Sequence, residues 1–301
     1  MTHDHDHGAH APRNPGRAFA LGIGLNLAFV LVEAVYGVLA HSMALLADAG
    51  HNLSDVLALT LAWGASTLAR RGPSERFTYG LRSSSILVAL LNAALLLVVT
   101  GGNAWEAINR LAAPMPVAGE TVIGVALLGI VINGASAMLF ARDRRRDVNM
   151  RGAFLHLAAD AAVSLGVVVA GIGILFTGWL WLDPLTGLVI AAAIVWSTWG
   201  LLRDSVALAL NAVPEHIDPR VVRTYLSLLR GVAEVHDLHI WAMSTTETAL
   251  TVHLVIPGGH PGDAFMAEIC KELRARYHVH HATIQIETGA HPCELAPDHV
   301  V

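Results

Sequence analysis

The sequence predicts an all-α transmembrane domain of six helices followed by a small α+β domain of order αββαβ. Three observations carry this expectation. Of the 301 residues, 54% are hydrophobic and only 14% charged, whereas soluble domains run near a quarter charged. Six apolar stretches of about 20 residues or more recur, each long enough to cross a bilayer of about 30 Å at about 1.5 Å per residue. After Pro214 the texture changes to short alternating segments. Together these exclude disorder, a fibre and an ordinary soluble enzyme. The expected division is a flexible His-rich N-terminus over 1–16, six spans over 17–205, the αββαβ domain over 206–290 and a tail over 291–301.

The opening residues are polar, with His3, His5, His7 and His10 set among acids, so no apolar signal-peptide core precedes the first span and the terminus reads as mature. The histidine tract either holds metal loosely or has no essential role. The spans fall near 18–40, 43–69, 83–109, 117–141, 152–178 and 182–203. A short turn at His41 and Ser42 joins the first two. Pro114 and Pro116 separate the third from the fourth, and Asp183 with Pro184 reads as the start of the sixth, Asp183 as its cap.

Arginine sets the orientation, because cytoplasmic loops accumulate positive charge near membrane ends. Arg13 and Arg17, Arg70 through Arg82, the cluster from Arg142 to Arg151, and Arg203 fall on one side; Arg110 alone falls on the other. Six spans then place both termini in the cytoplasm, in a cell inner or plasma membrane. That reducing compartment suits the only two cysteines, Cys270 and Cys293, which exclude a disulfide scaffold and a four-cysteine zinc site. The first 204 residues balance 13 basic against 13 acidic side chains, so the net charge of −5 belongs to the tail. A tail without a basic patch excludes a nucleic-acid partner.

In that tail a helix is expected near 218–230, strands near 234–243 and 247–256, a helix near 261–277 and a strand near 281–288. Alternation puts Leu250, Val252 and Leu254 on one face of the second strand and Thr251 and His253 on the other, the pattern of a half-buried strand. A domain of only about 85 residues gains from leaning on a partner chain.

An ionisable residue inside a membrane helix costs about 3 kcal/mol on insertion scales, so each needs a reason. The second span carries His51-x-x-x-Asp55 and the fifth His156-x-x-x-Asp160. The i,i+4 spacing stacks each imidazole with its carboxylate on one helix face. Two such pairs facing each other make a site of two nitrogens and two oxygens, which suits tetrahedral zinc and not octahedral magnesium. The alternative for a single pair is plain hydrogen bonding between helices; two copies, holding the only histidines deep within any span, weigh against it. Asp48, one turn before His51, reads as a helix contact, a fifth ligand or a proton carrier. Glu33, Asn26 and Asn133 read as interhelical hydrogen-bonding groups. An intramembrane metalloprotease would need His-Glu-x-x-His, and a nucleotide-driven pump a phosphate loop; neither pattern occurs. A sensor that binds metal without moving it stays open.

These features resemble the cation diffusion facilitator family: six spans, the short first outer turn, the run from Ser42 to Asp55, the second His-x-x-x-Asp, and a tail containing His236-Asp-Leu-His-Ile-Trp241. The resemblance spans about residues 15 to 290. It implies a homodimeric, non-enzymatic exporter of Zn2+, with Cd2+ or Co2+ as further substrates, exchanging metal for protons by alternating access. The tail is then metallochaperone-like. His51, Asp55, His156 and Asp160 take the transport-site roles, and histidine at the head of each motif goes with zinc. His236 and His253 match positions of a regulatory metal site completed from the last strand, where this sequence has Gln285 in place of a frequent histidine and then Glu287. Because glutamine is a poor zinc ligand, His236, His253 and Glu287 are a candidate second site only, and His239 reads equally as a strand residue beside Trp241. The run His291-Pro-Cys293 is ambiguous. The loop over 71–80 has no histidine and no expected site; the cluster from Arg142 to Asp147 is expected to meet anionic headgroups. No catalytic cofactor is expected; the partners are Zn2+, protons, the bilayer and a second copy of the chain.

Overall fold

A computed structural model describes residues 15–69, 71–140 and 148–296. The N-terminal histidines His3 to His10, the cluster from Arg142 to Asp147 and residues 297–301 lie outside the described residues. Six long helices come first: α1 (Pro15–Leu39), α2 (Met43–Ala69), α3 (Ser84–Ala112), α4 (Gly119–Phe140), α5 (Val148–Thr177) and α6 (Leu182–Ala209). Among the described residues, four segments are long and apolar enough to cross a membrane: Ser84–Ala112, Gly119–Met138, Phe154–Thr177 and Leu182–Ala209, with mean hydropathy from 1.8 to 2.2. α1 adds a shorter apolar stretch, Asn26–Leu39. α2 is not among the four, and within it lie Asp48, His51, Asn52 and Asp55.

The chain divides into two compact units, Met1–Leu59 with Ala94–Thr198, and Thr60–Ala93 with Trp199–Val301. In the first, each of the six helices contributes to one core, through Phe29, Leu45, Leu96, Val122, Val167 and Ile190. Large apolar side chains such as Val98, Val131, Val169 and Phe176 point outward, as they do where lipid replaces water. Gly129 on α4 sets a close approach, since a Cβ there would stand 2.7 Å from the Phe29 ring and 2.9 Å from Ser164 Oγ. A small residue lets the helices meet at this point.

The turn between α1 and α2 is fixed by side chains distant in sequence. His41 adopts a left-handed backbone with φ of 54°, and its carbonyl accepts from Arg110 at 2.6 Å. Ser42 Oγ accepts from Leu45 N at 3.2 Å and donates to Asp183. Asp183 also accepts from Met43 N at 2.6 Å and Ala44 N at 3.4 Å. This corrects the expectation for Asp183: it lies in the first turn of α6 but caps the N-terminus of α2. The physical reason is that α2 begins with buried, otherwise unpaired N–H groups, and a carboxylate satisfies several at once while facing the positive end of the helix dipole.

In the second unit, α7 (Pro219–Ser227), β1 (Glu234–Ala242), β2 (Thr248–Val255), α8 (Asp263–Tyr277) and β3 (Val279–Glu287) follow in order. Asp218 caps α7 through Arg220 N and Pro219 opens it, where a missing N–H costs nothing. The sheet order is β1-β2-β3, with β1 antiparallel and β3 parallel to β2; α8 is the crossover a parallel pair requires. Val222 and Leu226 of α7, Leu250 and Leu254 of β2, and Ile269 and Leu273 of α8 share the core. The start of α3 meets the β1–β2 turn through the Arg82–Glu247 ion pair, Ser83 Oγ donating to Met243 O at 3.2 Å, and Thr245 N donating to Ser85 Oγ at 3.1 Å.

The half-buried reading of β2 needs correction. Leu250, Val252 and Leu254 enter the core as expected, but Ala249 and His253 on the other face are buried too. β2 is the middle strand, and the chain after β3 returns over that face, bringing Cys293 Sγ to 3.6 Å from His253 Nδ1.

Replacing Asp183 by Ala is expected to destabilise the protein by about 1–2 kcal/mol, the upper range for a lost helix cap. Thermal unfolding in detergent measures it; an unchanged midpoint would mean that water replaces the carboxylate.

Candidate functional site

The residues singled out in α2 and α5 lie together in the first unit. On α2, His51 Nε2 is 3.6 Å from Asp55 Oδ2; on α5, His156 Nε2 is 3.6 Å from Asp160 Oδ2. Across the helices, His51 Nε2 stands 3.6 Å from Asp160 Oδ1 and His156 Nε2 stands 3.2 Å from Asp55 Oδ2. Each carboxylate thus lies beside both imidazoles, whose rings meet edge to face at 6.1 Å. In a tetrahedron with ligands about 2.1 Å from the metal, the edges are about 3.4 Å, and the four N···O separations cluster around that length. His51, Asp55 and Asp160 offer ligand atoms all within 4.8 Å of one another. His156 sits at the open edge, its side chain 48% exposed against 3% for Asp160. His51 Nδ1, Asp55 Oδ2 and Asp160 Oδ2 are buried with no hydrogen-bond partner, a deficit that a buried polar group seldom carries without a ligand or ion to meet it.

A second polar layer lies one turn away. Asp48, buried, accepts from Ser164 Oγ of α5 at 3.2 Å and from Asn52 Nδ2 at 3.4 Å; Asn52 Nδ2 also donates to Glu33 Oε2 of α1 at 3.2 Å. Ser164 follows Asp160 by one turn, so the Asp48–Ser164 bond ties α2 to α5 beside the four-residue cluster. Asp48 and Glu33 therefore make the helix contacts expected of them. Asn133 does not: both its amide atoms are buried without a partner among the described residues.

The C-terminal domain brings His236, His253 and Glu287 together. His236 and His253 are direct cross-strand partners on β1 and β2, and their rings meet edge to face at 5.4 Å. Glu287 of β3 reaches both, at 3.3 Å from His236 Nε2 and 3.0 Å from His253 Nδ1. Gln285 does not face an open position; its amide donates to Glu287 Oε1 at 2.9 Å. Burial pushes the Glu287 carboxyl up, but hydrogen bonds from Cys293 and Gln285 and the two imidazoles hold it below its ordinary value. His239, on β1 and partly exposed, pairs with Asp237 at 2.8 Å. Asp237 occupies a bulge between His236 and His239 in a left-handed conformation, φ 49°, which re-aims its carboxylate to His253 Nε2 at 3.3 Å.

Sequence reasoning missed Ser164 and Asp237 and left Cys293 undecided. Ser164 falls on the Asp160 face of α5 at i+4, a spacing that was available to find it. Asp237 depends on the bulge, which no periodicity announces.

The sequence matches the family description "Cation efflux transmembrane domain" over residues 20–208 and "Cation efflux protein, cytoplasmic domain" over residues 214–289. It is similar to the zinc transporter ZitB of Escherichia coli K12, 36% identical over 99% of this chain and 95% of that protein. It is also similar to the cadmium, cobalt and zinc/H(+)-K(+) antiporter of Bacillus subtilis 168, 32% identical over 97% and 93%. A third relative is the metal cation efflux system protein CzcD of Cupriavidus metallidurans, 34% identical over 98% and 92%.

Ser164→Ala is expected to cost about 1–3 kcal/mol of stability, because it leaves the buried Asp48 carboxylate one donor short. Detergent unfolding of Ser164→Ala checks this; an unchanged midpoint would mean that the bond from Ser164 to Asp48 contributes nothing measurable.

Proposed function

Because the chain belongs to the cation efflux family, we propose that it exports Zn2+ from the cytoplasm in exchange for protons, with Cd2+ or Co2+ as further substrates, through a site formed by His51, Asp55, His156 and Asp160. The observation that carries this reading is the set of four N···O separations of 3.2–3.6 Å within and between α2 and α5, with His51, Asp55 and Asp160 already at metal-binding spacing and His156 beside them at the open edge. The relatives' names, a zinc transporter and a cadmium, cobalt and zinc antiporter, support the same substrates. Six spans over 17–205, both termini in the cytoplasm, a cytoplasmic domain over 206–290 and a homodimer complete the proposal. His236, His253 and Glu287 form a second, regulatory metal site in that domain. No enzymatic step is involved.

Zinc takes neutral imidazole and ionised carboxylate, so metal and protons compete for the same four side chains. Histidine's ordinary pKa of about 6.5 puts that competition near neutral pH. Facing the cytoplasm, unprotonated ligands capture Zn2+; facing a more acidic exterior, protonation of His51 or His156 expels it. The exposure gradient from His156 to Asp160 supports a site reached from one side at a time, as alternating access requires.

In reconstituted vesicles, a pH gradient acidic inside is expected to drive Zn2+ accumulation that an uncoupler abolishes, and Asp160→Ala to abolish it as well. Accumulation that survives a verified collapse of the gradient would overturn exchange, and binding without any flux would leave a sensor. His51→Asp is expected to weaken zinc preference and admit harder cations such as Mn2+, since carboxylate favours them over the imidazole-loving metals. An unchanged ranking across Zn2+, Cd2+, Co2+ and Mn2+ would remove His51 from the ligand set.

A further inference from the structure

We propose that Cys293 is the fourth ligand of a single-ion thiolate site with His236, His253 and Glu287, selective for a borderline-soft divalent cation, and that the bound ion fastens the segment after β3 onto the sheet. The proposal rests on reading the C-terminal cluster as a metal site and specifies its donors and stoichiometry. Ligand atoms of His236, His253, Glu287 and Cys293 all lie within 4.8 Å of one another. Cys293 Sγ is 3.6 Å from His253 Nδ1, and a tetrahedral zinc with bonds of about 2.3 Å to sulfur and about 2.05 Å to nitrogen sets those two atoms about 3.6 Å apart. His236 supplies the independent pointer: it is buried, and neither ring nitrogen has a hydrogen-bond partner.

The surroundings have the form of an outer ligand shell. His253 presents Nδ1 to the cluster and Nε2 to the Asp237 carboxylate at 3.3 Å, while Glu234 stands 3.4 Å from His236 Nδ1 without hydrogen bonding to it. A carboxylate placed like Asp237 fixes ring orientation and raises ligand basicity. Gln285, unsuited to zinc, holds Glu287 in place instead. Four donors converging on one point serve one ion, and a thiolate among them favours Zn2+ or Cd2+ over Mn2+ or Mg2+. Gly289 makes the return possible: its φ of 75° turns the chain after β3, and a Cβ there would crowd Val255 at 3.3 Å. The peptide from Thr288 to Cys293 thereby crosses back to β2, and the ion would be its principal fastening.

The test is a Co2+ titration of the full-length protein in detergent, because a sulfur-to-cobalt charge-transfer band in the near ultraviolet reports only a thiolate ligand, and the transport-site residues contain no sulfur. Wild type and Cys270→Ser are expected to show the band, Cys293→Ser to lose it, and Asp237→Asn to weaken Co2+ affinity about 10–100-fold. In wild type, Zn2+ is expected to protect Cys293 from alkylation while leaving exposed Cys270 reactive, a readout that needs no variant. Cobalt bound in a His253-dependent way but without the band would overturn Cys293 as ligand and leave the site; no His253-dependent cobalt at all would overturn both.

Discussion

Two imidazoles and two carboxylates are brought face to face between α2 and α5, with Asp160 buried and His156 at the open edge, and much of the first unit is organised around that meeting. Each such group costs about 3 kcal/mol in a membrane helix on insertion scales, a penalty that falls when opposite charges or a cation face them. The helices therefore meet along this face. His51 and Asp55 stack on one helix and His156 and Asp160 on the other, and the cross-helix distances of 3.6 and 3.2 Å equal those within each helix to within half an ångström.

Holding four side chains to that tolerance requires that the helices neither slide nor rotate. Asp183 anchors the first turn of α2, Arg110 anchors the turn before it, and the Asp48–Ser164 bond locks α2 to α5 one turn from the site. Gly129 gives α1, α4 and α5 room to close around Ser164. In the second unit the Arg82–Glu247 pair and its neighbouring hydrogen bonds join the start of α3 to the sheet's hairpin turn.

The long helices and the repeated His-x-x-x-Asp motif were legible because both rest on local rules: apolar length for a bilayer and the 3.6-residue period for stacked ligands. The order αββαβ was legible from alternation and turn residues. What escaped depends on contacts between distant parts of the chain. Asp183 looks like the cap of its own helix in sequence, yet its partners Ser42 to Ala44 lie some 140 residues earlier. His253 alternates like a solvent-facing strand residue, but β2 is central and the segment carrying Cys293 lies over it. Asp237 reaches His253 only through a bulge and a left-handed backbone, neither of which a binary pattern encodes.

One tetrahedral ion between α2 and α5 is tested most directly by zinc X-ray absorption on full-length protein carrying His236→Ala and His253→Ala, washed free of loosely held metal, so that the cytoplasmic cluster cannot load. The account predicts one retained zinc per chain with four nitrogen and oxygen neighbours at about 2.0–2.1 Å and no sulfur. A six-oxygen shell, a sulfur neighbour, or no retained zinc would contradict it.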